Sequence, residues 1–133
     1  MSKLEQISDI ITKYFGTTIK TVKSRNRVSN VVKARHLICY FANHDLRLSY
    51  TEIGEYLEGR DHTTIINSCT AVKDSIRIEN YLFEDYNHLK EDVYKIAYKE
   101  NLTLVMQPDP GVDVKSIVRQ IQKQYPQVTF LIA

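Results

Sequence analysis

The 133-residue sequence has no apolar run approaching the roughly 20 residues that cross a bilayer. Its start, Met1-Ser2-Lys3-Leu4-Glu5, lacks the apolar core of a signal peptide. Membrane insertion and export are therefore not expected, and a cytoplasmic location is. Cysteine is scarce. Cys39 and Cys69 each fall on the apolar stripe of an expected helix and read as reduced core thiols that behave as small hydrophobes. A zinc site needs four ligands at recognisable spacing, and His36-x-x-Cys39 supplies two, so no metal is expected. There is no Gly-x-x-x-x-Gly-Lys-Ser/Thr phosphate loop, so no nucleotide or other cofactor is expected. An enzyme, for instance a nuclease, has little support. Asp61-His62 lacks a second carboxylate pair for a metal, and no serine or cysteine has a recognisable base partner. Internal repeats and low-complexity tracts are absent as well.

What is present is an ordinary globular composition, 43% hydrophobic and 26% charged, at the length of one domain or a small domain with an extension. The net charge of +2 is unevenly spread. Residues 1–78 carry 12 Lys/Arg against 8 Asp/Glu, and residues 79–133 carry 6 against 8. Lys20, Lys23, Arg25, Arg27, Lys33 and Arg35 fall in sixteen residues without one acid. Such a cluster is either an electrostatic footprint for phosphate or a solvated basic surface.

Hydrophobic periodicity predicts a succession of helices. Leu4, Ile7, Ile10, Ile11, Tyr14 and Phe15 place one over 3–15, stopped by Gly16. A short helix follows over 18–22, then a polar, basic loop over 24–30. Val31, Ala34, Leu37, Ile38, Phe41 and Ala42 define a helix of about 14 residues. Ser49-Tyr50-Thr51-Glu52 fits a capping box opening a helix that runs to Leu57 and ends at Gly59. Asp61 is placed to cap the next helix, which Ile65, Ile66, Cys69, Val72 and Ile76 carry to about Asn80. A further helix is expected over 85–100. After Asn101 the character changes. Residues 102–106 and 128–132 are strand-like. The turn Gln107-Pro108-Asp109-Pro110-Gly111 and a helix through Val114, Ile117, Val118 and Ile121, closed by Pro126, lie between them. Two strands alone do not make a stable sheet. This predicts a mainly α fold, a multi-helix bundle over 1–100 with a strand-helix-strand extension over 101–133. The extension is a candidate surface for a homodimer or a protein partner.

The densest signal is Gly59-Arg60-Asp61-His62-Thr63-Thr64 between two amphipathic helices. A helix-turn-helix reads base edges with the first residues of its second helix, and Asp, His and Thr can accept, donate and offer a methyl there. With Glu52-Ile53-Gly54 before it and Ile65 and Cys69 after it, this string resembles the signature of the C-terminal DNA-binding domain of the bacterial replication initiator DnaA. The resemblance runs in outline from about Leu4 to Ala97 and is specific from about Arg27 to Cys69.

That resemblance implies a Trp-repressor-like helical domain that binds double-stranded DNA. It assigns Arg27 to the minor groove and Arg35 and His36 to backbone or bases. Asp61, His62 and Thr63 fall to base edges, and Thr64 to a phosphate. Arg25, Lys33, Tyr50, Thr51, Arg60 and Asn67 complete the candidate DNA-binding set. The sequence also departs from the family. His36 stands where Gln is usual, Asn67 where His is, Asn43 where Lys is, Tyr50-Thr51 where Leu-Pro is, and Thr70-Ala71 where a basic pair is. Lost charge weakens nonspecific affinity and its salt dependence. Each residue also has a structural role open to it: Gly59 as a helix C-cap, Asp61 as an N-cap, His62, Thr63 and Thr64 as plain surface. For Arg60, an ion pair with a neighbouring carboxylate is favoured over a base contact. The expected protein is a DNA reader without the initiator's ATPase motor, acting at replication origins or in transcription control. An interaction adaptor working through 101–133 is the alternative.

Overall fold

The structure, a computed structural model, describes residues 1–98, 102–106, 110–125 and 128–132. Seven helices and two strands follow in the order α1 (Lys3–Phe15), α2 (Ile19–Lys23), α3 (Ser29–His44), α4 (Tyr50–Tyr56), α5 (His62–Ile78), α6 (Phe83–Ala97), β1 (Leu102–Met106), α7 (Val114–Gln124) and β2 (Val128–Ile132). The chain is mainly α. Local chemistry sets most of the boundaries. The Ser2 hydroxyl accepts from the Glu5 amide to open α1, and Gly16 closes it in the left-handed region, φ 68°, with its N–H on Lys13 and Thr12 carbonyls. The capping box at α4 is complete: Ser49 Oγ accepts from the Glu52 amide at 3.1 Å, and Glu52 Oε2 accepts from the Ser49 amide at 2.8 Å.

α3 begins at Ser29, two residues before the apolar periodicity starts. Asn26 Oδ1 accepts from the Val28 amide at 2.8 Å, and the Val28 carbonyl then accepts from both Val31 and Val32. An Asx turn thus aims the chain into α3 ahead of that helix's first buried valine, Val31. Asp61 occupies the N-cap position of α5, but its side chain makes no capping bond. Its carboxylate lies 3.2 Å from His62 Nδ1 instead.

α3 is the central element, with residues buried on most of its circumference from Val31 to Ala42. α1 lies against it with Ile7 and Ile11, α4 with Ile53, and α5 with Ile65, Cys69 and Val72. Fully burying each such aliphatic side chain contributes roughly 1.5–3 kcal/mol. This core is what holds α4 and α5 at a fixed angle. At its far end Tyr98 donates to Asp45 Oδ1 at 2.8 Å, and Lys3 Nζ donates to the Ala97 carbonyl at 3.1 Å, tying the end of α6 to α3 and α1. β1 and β2 pair in parallel, Leu102 opposite Val128 through Met106 opposite Ile132, with α7 as the connection. α7 meets α6 through Gln124 Nε2 on Glu91 Oε1, 3.2 Å, and through the Tyr125 and Tyr94 rings. The boundary at 100/101, the Gln107–Asp109 part of the expected turn and the Pro126 helix stop lie outside the described residues. Among the described residues no helix is long and apolar enough to cross a membrane.

Candidate nucleic-acid interface

The turn between α4 and α5 is built on Gly54. The Gly54 carbonyl accepts from the amides of both Gly59 and Arg60, at 2.9 and 3.0 Å. A Cβ at position 54 would overlap the Arg60 carbonyl oxygen. Glu58 and Gly59 then take left-handed conformations in succession, φ 64° and 79°, which reverses the chain within three residues. α5 therefore starts beside α4 with Asp61, His62, Thr63 and Thr64 all exposed, while Ile65 turns inward and is fully buried. One helical turn is divided between solvent and core.

An open cleft runs beside this helix start. Lys23, Arg25, Arg27, Arg35 and His36 line it on the α2–α3 side, Glu58, Gly59 and Arg60 at the α4–α5 turn, and Asp61, Thr64 and Ser68 on the α5 side. The arginines of the cleft divide into two kinds. Arg25 and Arg27 are exposed and make no hydrogen bond or ion pair among the described residues. Arg35 and Arg60 instead turn into the protein. Arg35 Nε donates to the Val22 carbonyl at 2.9 Å, and its Nη2 donates to the carbonyls of Ser24 and Asn26 at 3.1 and 3.0 Å. Arg60 Nη1 donates to the Lys23 and Leu57 carbonyls, both at 3.0 Å, and Nη2 to the Ser24 carbonyl at 2.6 Å. The partners of Arg60 are backbone carbonyls, not the carboxylate the sequence suggested, because the turn points the side chain back across the α2–α3 connection. Arg35 is only 8% exposed. Burial, and then the nearby Arg60 charge, lower its pKa from the ordinary value.

His36 sits partly buried at the back of the cleft, with Nδ1 2.9 Å from Ser68 Oγ. Burial first, and the Arg35 charge second, lower its pKa below the ordinary imidazole value. Burial holds the neighbouring thiols protonated, with Cys39 pushed up to about 12 and Cys69 to about 11. Ser68 and Glu58 were not singled out from sequence as members of this site, and Lys23 was named only within the basic cluster. Ser68 lies one helical turn after Thr64, so the 3.6-residue period alone would have placed it on the same face.

Four expected residues lie elsewhere on the surface. Lys33 lines a separate depression with Glu79, Tyr81, Glu84 and Asp85, on the side of α3 that faces the α5–α6 corner. Tyr50 is half-buried against the core, Thr51 is exposed at the first turn of α4, and Asn67 is exposed on α5.

The sequence matches the family described as "Bacterial dnaA protein helix-turn-helix" over residues 4–72. It is similar to the chromosomal replication initiator protein DnaA of Ureaplasma parvum serovar 3, 40% identical over 78 residues, which are 59% of this chain and 17% of that protein. It is similar to the DnaA of Spiroplasma citri, 36% identical over 85 residues, 64% of this chain and 18% of that protein. The DnaA of Chloroflexus aggregans is 28% identical over 89 residues, 67% of this chain and 19% of that protein. The matched segment thus spans less than a fifth of each of these relatives. On its helix-turn-helix and its match over more than half its length, this chain belongs to the bacterial DnaA helix-turn-helix family.

Proposed function

We propose that the chain binds double-stranded DNA with a sequence preference, α5 entering the major groove and the Arg25–Arg27 segment the adjacent minor groove. The observation that carries this reading is the division of side chains around the cleft. The groups able to meet bases, Asp61 to Thr64 and Arg27, are exposed, and the arginines behind them are engaged with carbonyls. Exposed polar residues at the start of a recognition helix contact base edges, and an exposed guanidinium suits the narrow, negative minor groove. The DNA served is a replication origin or a transcriptional control site. Fluorescence anisotropy on a duplex carrying the initiator's binding box, against a scrambled duplex across a salt series, tests it. Tighter binding to the box that persists at higher salt is expected; equal, salt-sensitive binding to both would remove the sequence preference.

A second role rests on the C-terminal segment. β1 and β2 form a two-stranded parallel pair, and no residue of α7 is fully buried. Parallel sheets are ordinarily covered and have more strands, which favours self-association or partner binding through residues 101–133. Sedimentation with and without residues 101–133 tests this, and the same monomer in both would refute it.

A further inference from the structure

At the C-terminal end of α2 and in the loop before α3, the backbone has no ladder of its own to satisfy its carbonyls. Two guanidiniums do so instead. Arg35 reaches Val22, Ser24 and Asn26; Arg60 reaches Lys23 and Ser24; the Ser24 carbonyl accepts from both. Among the described residues no carboxylate accepts from either guanidinium, and Glu58 of the same cleft lies 4.0 Å from Lys23 instead. A planar fork with five donors in fixed geometry reaches carbonyls spread along the chain, which a compact ammonium does less well.

The placement of the two arginines makes this more than loop packing. Arg60 immediately precedes the N-cap of α5 and is anchored at its own end by the Leu57 carbonyl. The segment it grips carries Arg25 and Arg27. We propose that Arg35 and Arg60 are positioning residues that latch the 22–26 segment to the start of α5 and so fix the distance between Arg27 and the recognition helix. This deepens the DNA-binding reading above and rests on it. Arg60 contributes to box affinity through Arg27, without touching DNA.

The test is a double-mutant cycle of Arg27→Ala and Arg60→Lys, read by anisotropy on the box duplex, with amide hydrogen exchange of residues 24–28 measured on the protein alone. Arg60→Lys keeps the charge and loses the fork. It is expected to weaken box binding roughly tenfold, to add less than about twofold once Arg27 is already Ala, and to speed exchange at Asn26 and Val28. Arg35→Lys repeats the experiment from the other side of the Ser24 carbonyl. A phosphate contact at Arg60 would be preserved by Lys; near-normal binding of Arg60→Lys therefore overturns the proposal. Fully additive losses overturn it too, as does unchanged exchange at 24–28. If Arg27→Ala alone leaves box affinity intact, the minor-groove reading fails and takes the coupling with it, while the exchange data still decide whether the latch exists.

Discussion

The α-carbon of Gly54 lies so close to the carbonyl oxygen of Arg60 that no side chain fits between them. The same glycine's carbonyl accepts from the Gly59 and Arg60 amides, so the whole turn rests on one backbone position. Gly54→Ala should therefore destabilise the fold by about 1–3 kcal/mol, as overpacking does. It should cost box affinity as well, because the turn must move to make room. Urea unfolding midpoints and anisotropy on the same preparations check both; a normal midpoint would show that the turn yields without cost.

Arg27→Ala and His62→Ala should each lose on the order of 1–3 kcal/mol of box affinity. Neither side chain holds a part of the core, so circular dichroism should report normal folding. The two losses differ in kind. Arg27 also contributes charge, so its loss should flatten the salt dependence, whereas His62→Ala should mainly narrow the gap between box and scrambled duplexes. Normal folding with unchanged box affinity in both variants would remove these residues from the interface.

His36 gives the protein an acid-sensitive element. Its ordinary pKa is 6.5, and burial holds the folded value lower. Above pH 6.5 the ring is neutral in both states and costs nothing. As pH falls below that value the unfolded chain takes up the proton first, so stability falls with it. His36→Gln should remove this part of the slope. Unfolding midpoints of the two proteins at about pH 7.5 and about pH 5.5 check it: the variant should lose less on acidification, and equal losses would assign the acid sensitivity elsewhere.

The thiols of Cys39 and Cys69 should be inert in the folded protein. Both are buried, and burial holds both protonated far above neutral pH. A disulfide reagent at neutral pH should label neither within the native lifetime and both at once in denaturant. Rapid labelling of the native protein would mean that α3 and α5 separate far more often than their packing implies.

Much of this was legible in the sequence because it depends on local rules. Apolar spacing located α1, α3, α5 and α6, and the Ser49–Glu52 box and Gly16 fixed two ends through hydrogen bonds that involve near neighbours. The Gly59–Thr64 string announced the turn and the exposed helix start for the same reason. What was not legible depends on residues distant in sequence. That Arg60 grips carbonyls 36 and 37 residues earlier, or that Lys33 faces the α5–α6 corner while Arg35 faces the cleft, follows only from how the helices pack. The basic cluster is contiguous in sequence; the fold separates exposed Arg25 and Arg27 from buried Arg35 and puts Lys33 on another side.

The Ser24 carbonyl accepts from Arg35 and from Arg60, and under the proposed latch this would make the protein a ruler. If the proposed latch holds and DNA is met at Arg27 and at the start of α5, those two points keep one separation, and the target must supply its minor-groove and major-groove features at that same spacing. Inserting one base pair between them displaces the features by about 3.4 Å along the axis and about a tenth of a turn around it. A free loop would follow such a shift, and a latched one cannot. Mismatched spacing would then be rejected as firmly as a wrong base, so that targets would be told apart by geometry as much as by lettering.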